Sequence, residues 1–270
     1  MKLAVSIITP EVRGEAPLAL LSGPFAERLR KAADFGYQGA ELVCCEPKNG
    51  SVAELQDRLA EAGLAPAAIA TGFLAGGYGV TLTGPEESGR ALGQKRLEEL
   101  IELAGALNCG IVTIGSFRGK AAPLGGAEAA KEQLHRVFAA VSALCKEQNV
   151  TLALEPICPK ESDFLTDASQ VVQFLKEGGH ENGGLLLDSY HVVQSEPDPL
   201  GVYAAYQSRL VHVHLADSRR LPLGQGSIDF AAMERALETI GYAGWQSAEL
   251  ARSDAPDPHA ATSARYILGL

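Results

Sequence analysis

Three carboxylates and one imidazole stand at the ends of apolar runs in the second half of this chain. Glu155 closes VTLALE, Asp188 closes GLLLD, His214 lies near the end of LVHVHLA and Glu249 closes WQSAE. If each run is a buried strand, its last polar residue emerges where the next loop begins. Three ionised carboxylates gathered in a partly buried cleft repel one another and lose hydration, so a divalent cation is their natural counterweight. Oxygen-rich ligands with a single imidazole suit manganese, magnesium, cobalt or sometimes zinc. No cysteine joins the set, which argues against a structural zinc site. One carboxylate at a strand end is ordinarily a helix cap or an ion-pair partner, and Asp167 and Asp229 read that way; four potential ligands on four consecutive runs do not.

His212 and His214 sit two apart, which places both imidazoles on one face of a strand. His214 is the ligand. His212 lies one layer deeper and reads as a buried, neutral histidine that orients its neighbour.

The elements that must position these groups alternate along the chain. Eight β-type runs are KLAVSIIT (2–9), YQGAELV (37–43), PAAIATG (66–72), GIVTIGS (110–116), VTLALEPI (150–157), GLLLDSYH (184–191), LVHVHLAD (210–217) and WQSAEL (245–250). Helical stretches separate them. Leu97, Leu100, Ile101, Ala104 and Leu107 form one apolar helical face; Leu134, Val137, Phe138, Val141 and Cys145 form another. Ser51 with Glu54 makes a capping box, closed by Gly63. Asp229 caps a helix that ends at Gly241, and Asp257 before Pro258 reads as a further cap. Eight β-then-α units argue for a closed parallel (β/α)8 TIM barrel, one domain over residues 1–270. An open doubly wound sheet is disfavoured, because no G-x-G-x-x-G follows the first strand.

Composition narrows the function. The 270 residues carry a formal net charge of −10, which opposes binding to nucleic-acid phosphates. No run is long and apolar enough to span a bilayer, and MKLAVSIITPEVRG reads as a first strand, not a signal peptide. The five cysteines, an odd number without a CxxC pair, suggest reduced thiols in the cytoplasm.

With these residues in view, LALEPI, LLLDSYH, HVHLADSRR followed by LGQGSIDF, and SAEL resemble the xylose isomerase-like barrel family. Within it they look most like ketose 3-epimerases of the tagatose and allulose (psicose) type. IATGFLAGGYGVTLTGP and IGSFRGK are similar to bacterial 5-keto-L-gluconate epimerase. The resemblance implies that Glu155, Asp188, His214 and Glu249 ligate the metal, with manganese the leading candidate, and that Glu155 and Glu249 double as the acid–base pair. It implies substrate contacts for His191 and Arg220, and for Glu161 a role supporting the catalytic glutamate or the substrate. It also implies a homo-oligomer, a dimer or tetramer. The expected activity is proton transfer through an enediolate on a ketose, keto sugar acid or ketose phosphate, with inversion at carbon 3 favoured.

Arg118, after the fourth run, hangs over the same mouth in this reading. With Lys120 it is expected to bind a terminal carboxylate or phosphate, since arginine engages such anions bidentately. The glycine-rich LGQGS offers backbone N–H groups to an anion, or is simply a turn into the Asp229 cap. Rival activities are an inosose dehydratase-type lyase and a hydroxypyruvate or aldose–ketose isomerase. A DNA-repair endonuclease of the same barrel type needs extra histidines on early strands, and here only His135 precedes residue 180. A non-catalytic sugar-binding barrel would not need both Glu155 and Glu249.

Overall fold

The computed structural model describes residues 1–270. Eight parallel strands close into a barrel in sequence order: β1 Lys2–Ile8, β2 Gly39–Val43, β3 Ala65–Ala70, β4 Ile111–Ile114, β5 Thr151–Leu154, β6 Gly183–Asp188, β7 Leu210–Leu215 and β8 Trp245–Ala248. Closure comes from β1 pairing with β8, Val5 opposite Ala248. Ten α-helices lie between and after the strands: α1 Phe25–Asp34, α2 Val52–Ala62, α3 Gly72–Tyr78, α4 Glu87–Ala106, α5 Ala127–Gln148, α6 Ala168–Glu177, α7 Ser189–Ser195, α8 Gly201–Ala205, α9 Phe230–Thr239 and α10 Pro256–Leu268.

The principal helices follow from their apolar stripes. α4 buries Leu97, Leu100, Ile101 and Ala104, and α5 buries Leu134, Val137, Phe138, Val141 and Cys145. Each fully buried leucine or phenylalanine contributes about 1.5–3 kcal/mol, which offsets the entropy of ordering the chain. Ser51 accepts from the Glu54 amide, and Gly63 ends α2 in the left-handed region at φ 67°. Asp167 and Asp229 cap α6 and α9 as expected. All five cysteines are free and buried.

Two expectations need correction. Asp257 does not cap: α10 already begins at Pro256, and the Asp257 carboxylate instead binds Ser22 and Lys31, tying the β1–α1 loop to α10. The run GLLLDSYH is strand only as far as Asp188. Ser189 opens α7, because the Asp188 carboxylate accepts from the Tyr190 amide and caps a helix there.

The short extra helices matter for the site. α3 is inserted after β3 and α7 after β6, and both lie at the C-terminal ends of the strands, where loops of such barrels build their chemistry.

Candidate metal and sugar site

Glu155 and Glu249 each stand one residue beyond a strand, yet their backbones are still held in the ladder: the Glu155 amide donates to Ile114 O at 3.0 Å and that of Glu249 to Leu215 O at 3.0 Å. That fixes where the side chains leave the barrel. Gly115, at the end of β4, makes room for one of them, since any Cβ there would collide with Glu155 Oε2. Asp188 divides its oxygens. Oδ1 caps α7 at 2.7 Å, and Oδ2 faces the mouth. Asp188 and His214 lie in register on neighbouring strands.

His214 Nδ1 lies 3.8 Å from Glu155 Oε1 and 3.9 Å from Glu249 Oε2. Donor atoms of Asp188, His214 and Glu249 fall within 4.8 Å of one another, as do those of Glu155, Asp188 and His191. The four expected ligands therefore converge. The Nδ1 of His214 is buried without a hydrogen-bond partner, while its Nε2 is engaged at 3.0 Å by Glu41. An orphaned buried nitrogen aimed at three carboxylates fits a divalent cation held by hard oxygens and one imidazole.

Glu41 is the residue that reasoning from the sequence missed. It sits in the middle of β2, is fully buried, and accepts from His212 Nε2 at 2.9 Å as well as from His214. Because β2 and β7 are not neighbours, these bonds cross the barrel interior. A carboxylate bound to the outer nitrogen of a ligating histidine fixes its tautomer and ring orientation. The signal was present: a lone glutamate inside the apolar strand GAELV. His212 does support His214, through this shared carboxylate, and also lies 3.1 Å from Ser247 Oγ.

Burial works against charge on these groups, and their neighbours decide the outcome. Burial raises Glu155, but His214, His191 and Arg220 outweigh it and bring its pKa down to about 2. Glu249 is pushed up to about 7 by burial, Glu155 and Asp188, against the pull of His214 and Arg220. Burial also opposes charge on Glu41 and His214, yet each favours it in the other: Glu41 is held well below, and His214 well above, the usual range. Two carboxylates driven apart in this way are suited to opposite roles in proton transfer.

Arg220 reaches Asp188 Oδ2 at 3.1 Å and Glu249 Oε2 at 3.0 Å, with His191 Nε2 at 3.3 Å and the Tyr190 ring 4.4 Å below the guanidinium. Its backbone, like that of Arg219, is left-handed, at φ 56° and 57°. Such residues cost about 1–3 kcal/mol each and persist only where the surroundings hold them. Here Asp217 does so: its carboxylate accepts from the amides of Ser218, Gly224, Gly226 and Ile228. The LGQGS amides that were candidates for an external anion are thus taken up within the protein, Gly224 and Gly226 by Asp217, Leu223 by Ser263 Oγ, Gln225 by Pro222 O and Ser227 by Ser218 Oγ, and the segment is a turn.

His191 is buried, 4.0 Å from both Glu155 Oε1 and Asp188 Oδ2, and the Cys158 amide donates to its Nδ1 at 3.4 Å. Its Nε2 faces the mouth, 3.3 Å from the Arg220 guanidinium. The Glu161 carboxylate lies beside His191 and lines the same cavity.

Arg118 contradicts its expected role. It is fully buried and does not line the cavity. Its guanidinium bonds Gly115 O, Glu155 O, Ser162 Oγ, Phe164 O and Leu165 O, holding the β4 and β5 loops together. The spacing put Arg118 near the mouth, but a short 3₁₀ turn at Ser116–Arg118 swings it beneath the surface. Lys120 does line the cavity, with Nζ 2.6 Å from Glu161 O.

The cavity measures about 510 Å³. No helix is long and apolar enough to cross a membrane.

The model of the family described as "Xylose isomerase-like TIM barrel" matches residues 29–269. An L-ribulose 3-epimerase of Mesorhizobium japonicum is 30% identical over 222 residues, 80% of this chain and 71% of that protein. A ketose 3-epimerase of Arthrobacter globiformis is 28% identical, over 80% and 74% of the two chains. The solved structure of an L-ribulose 3-epimerase superposes with a TM-score of 0.78 at 27% identity, covering 90% of this chain and 86% of that one. A 3-keto-D-glucoside 4-epimerase from E. coli shares the fold across the full length of both chains, with a TM-score of 0.83 at 18% identity. These relatives are epimerases acting on sugars, and this chain belongs to the xylose isomerase-like TIM barrel family.

Proposed function

We propose that this protein is a divalent-metal-dependent ketose epimerase that inverts carbon 3. The observation that carries the reading is the pair Glu155 and Glu249, delivered by non-adjacent strands β5 and β8 to 3.8 and 3.9 Å from one unpartnered imidazole nitrogen. Glu155, Asp188, His214 and Glu249 would hold the ion, with manganese the leading candidate and magnesium, cobalt or zinc next. When bound, the ion acts as a Lewis acid toward the substrate's ketone oxygen and adjacent hydroxyl.

The remaining work falls to side chains. One glutamate takes the proton from the carbon beside the ketone, and the other returns a proton to the opposite face of that carbon. Oppositely placed carboxylates suit inversion, where a single base would return the proton to the side it came from. Arg220 faces the developing enediolate oxygens and stabilises their negative charge, with His191 beside it as a substrate contact. Glu161 orients a substrate hydroxyl beside His191. Tyr190 and the Asp217 turn keep Arg220 from relaxing into solvent.

Deuterium wash-in from heavy water tests this, with manganese present and a panel of ketoses, keto sugar acids and ketose phosphates. The expected result is label at carbon 3 together with the carbon-3 epimer. Glu249→Gln is expected to bind the ketose and to lose exchange. Label at carbon 1 would instead mean an aldose–ketose isomerase, and a conjugated chromophore from water loss would mean a lyase.

A further inference from the structure

The cavity is larger than a free ketose requires. A hexulose is six hydrated carbons, and at about 30 Å³ for each, the share of one water in the liquid, it fills roughly 200 Å³. A hydrated ion adds a few tens more. More than a third of the about 510 Å³ therefore remains. The same cavity extends from the carboxylates to the loops of the first half of the barrel. Its walls there include Pro17 from the β1–α1 loop, Phe73 and Gly76 of α3, Thr81 beyond α3, and Ser116 of the turn after β4. The α3 helix packs on that turn, with Ser116 Oγ donating to Gly72 O at 3.2 Å.

The chemistry of these walls is specific. Phe73 is the only phenyl, indole or phenol ring lining the cavity, and it lies over Gly77, where any Cβ would collide with the ring. Thr81 and Ser116 line the same space. One aromatic ring beside the aliphatic Leu18, Val43 and Ala70, with Thr81 and Ser116 among them, suits a sugar ring, whose faces are apolar and whose rim is polar. Pro17, Gly76 and Lys120 are exposed, so the outer end is open.

We propose that this slot is a second subsite, and that it takes a second sugar ring in glycosidic linkage to the ketose. The substrate class is then a glycosylated keto sugar, whose ketose portion reaches the carboxylates while the appended ring lies against Phe73. The proposal rests on the epimerase reading of the inner end.

Gly76 provides the test. A Cβ built there meets nothing within 4 Å, its backbone is helical and it lines the cavity, so a larger side chain is accommodated at the slot wall without straining the fold. The probes are D-fructose and isomaltulose, a disaccharide whose reducing ketose has a free carbon 3, each followed by deuterium exchange in the manganese-loaded protein. Wild type is expected to exchange both, with kcat/KM for isomaltulose at least equal to that for fructose. Gly76→Ala is expected to leave both unchanged. Gly76→Trp is expected to lower kcat/KM for isomaltulose at least tenfold and to leave fructose within twofold, with an unchanged melting temperature showing that it folds. Exchange in fructose alone overturns the subsite and leaves the epimerase reading standing, whereas exchange in neither substrate overturns both. Equal losses on the two substrates in Gly76→Trp overturn the subsite as well.

Discussion

Arg118 separates a structural from a substrate-binding role most sharply. Consider Arg118→Met, which keeps the length of the side chain and removes the guanidinium. Gly115 O retains the Arg118 amide at 3.1 Å, Phe164 O retains Ser162 Oγ at 3.0 Å, and Leu165 O retains the Ile157 amide at 3.3 Å. Glu155 O loses its 2.7 Å contact with Nη1, and Ser162 Oγ loses its donor. A charge-assisted bond is worth about 1.5–3 kcal/mol and each weakened neutral one about 0.5–1.5. Burial already lowers the arginine pKa to about 10, so releasing the buried charge returns part of this. A net loss of about 3 kcal/mol follows, which in a chain of this size lowers the melting temperature by roughly 6–12 °C. Thermal melts read this directly. Activity at low temperature is expected to fall to the same extent on neutral ketoses and on ketose phosphates, because the damage passes through the Glu155 backbone. A melting temperature within about 2 °C of wild type, with loss confined to the charged substrates, would refute the reasoning and return Arg118 to substrate recognition.

Glu41→Gln is expected to weaken manganese binding by about 10–100-fold, since the outer-nitrogen partner of a ligating histidine is lost; calorimetric titration that finds an unchanged Kd would contradict the role given to Glu41. Dialysis against a chelator is expected to abolish deuterium exchange, and manganese at about 100 times its Kd to restore it and add about 2.7 kcal/mol of stability; turnover that survives chelation would sink the metal-site reading. His180 pairs with His135 at 2.8 Å, and burial, with His135 adding to it, depresses its pKa to about 4. The unfolded chain takes up that proton near 6.5, so stability is lost as pH falls from about 6.5 toward 4 at this buried site. Melts at about pH 7.5 and about pH 5 should therefore show a shallower pH dependence in His180→Gln than in wild type; equal slopes would remove His180 from the account.

The alternation of apolar runs and amphipathic stretches was enough to determine eight strands, their parallel order and the barrel, because each run is too short to be buried except as a strand and each helix has one face to cover. The same logic placed Glu155, Asp188, His214 and Glu249 at strand ends, and a closed barrel brings neighbouring strand ends together whatever the loops do. What spacing could not decide was direction across the barrel and direction within a loop. Glu41 lies 173 residues from the histidine it binds, and no local pattern reports a contact made through the interior. Arg118 and Arg220 both follow strand ends and carry the same charge. One is drawn under the surface by five backbone and hydroxyl oxygens, and the other is held over the carboxylates by a turn wound around Asp217. Which way each side chain went depended on acceptors supplied by other segments, and those met only when the chain had folded.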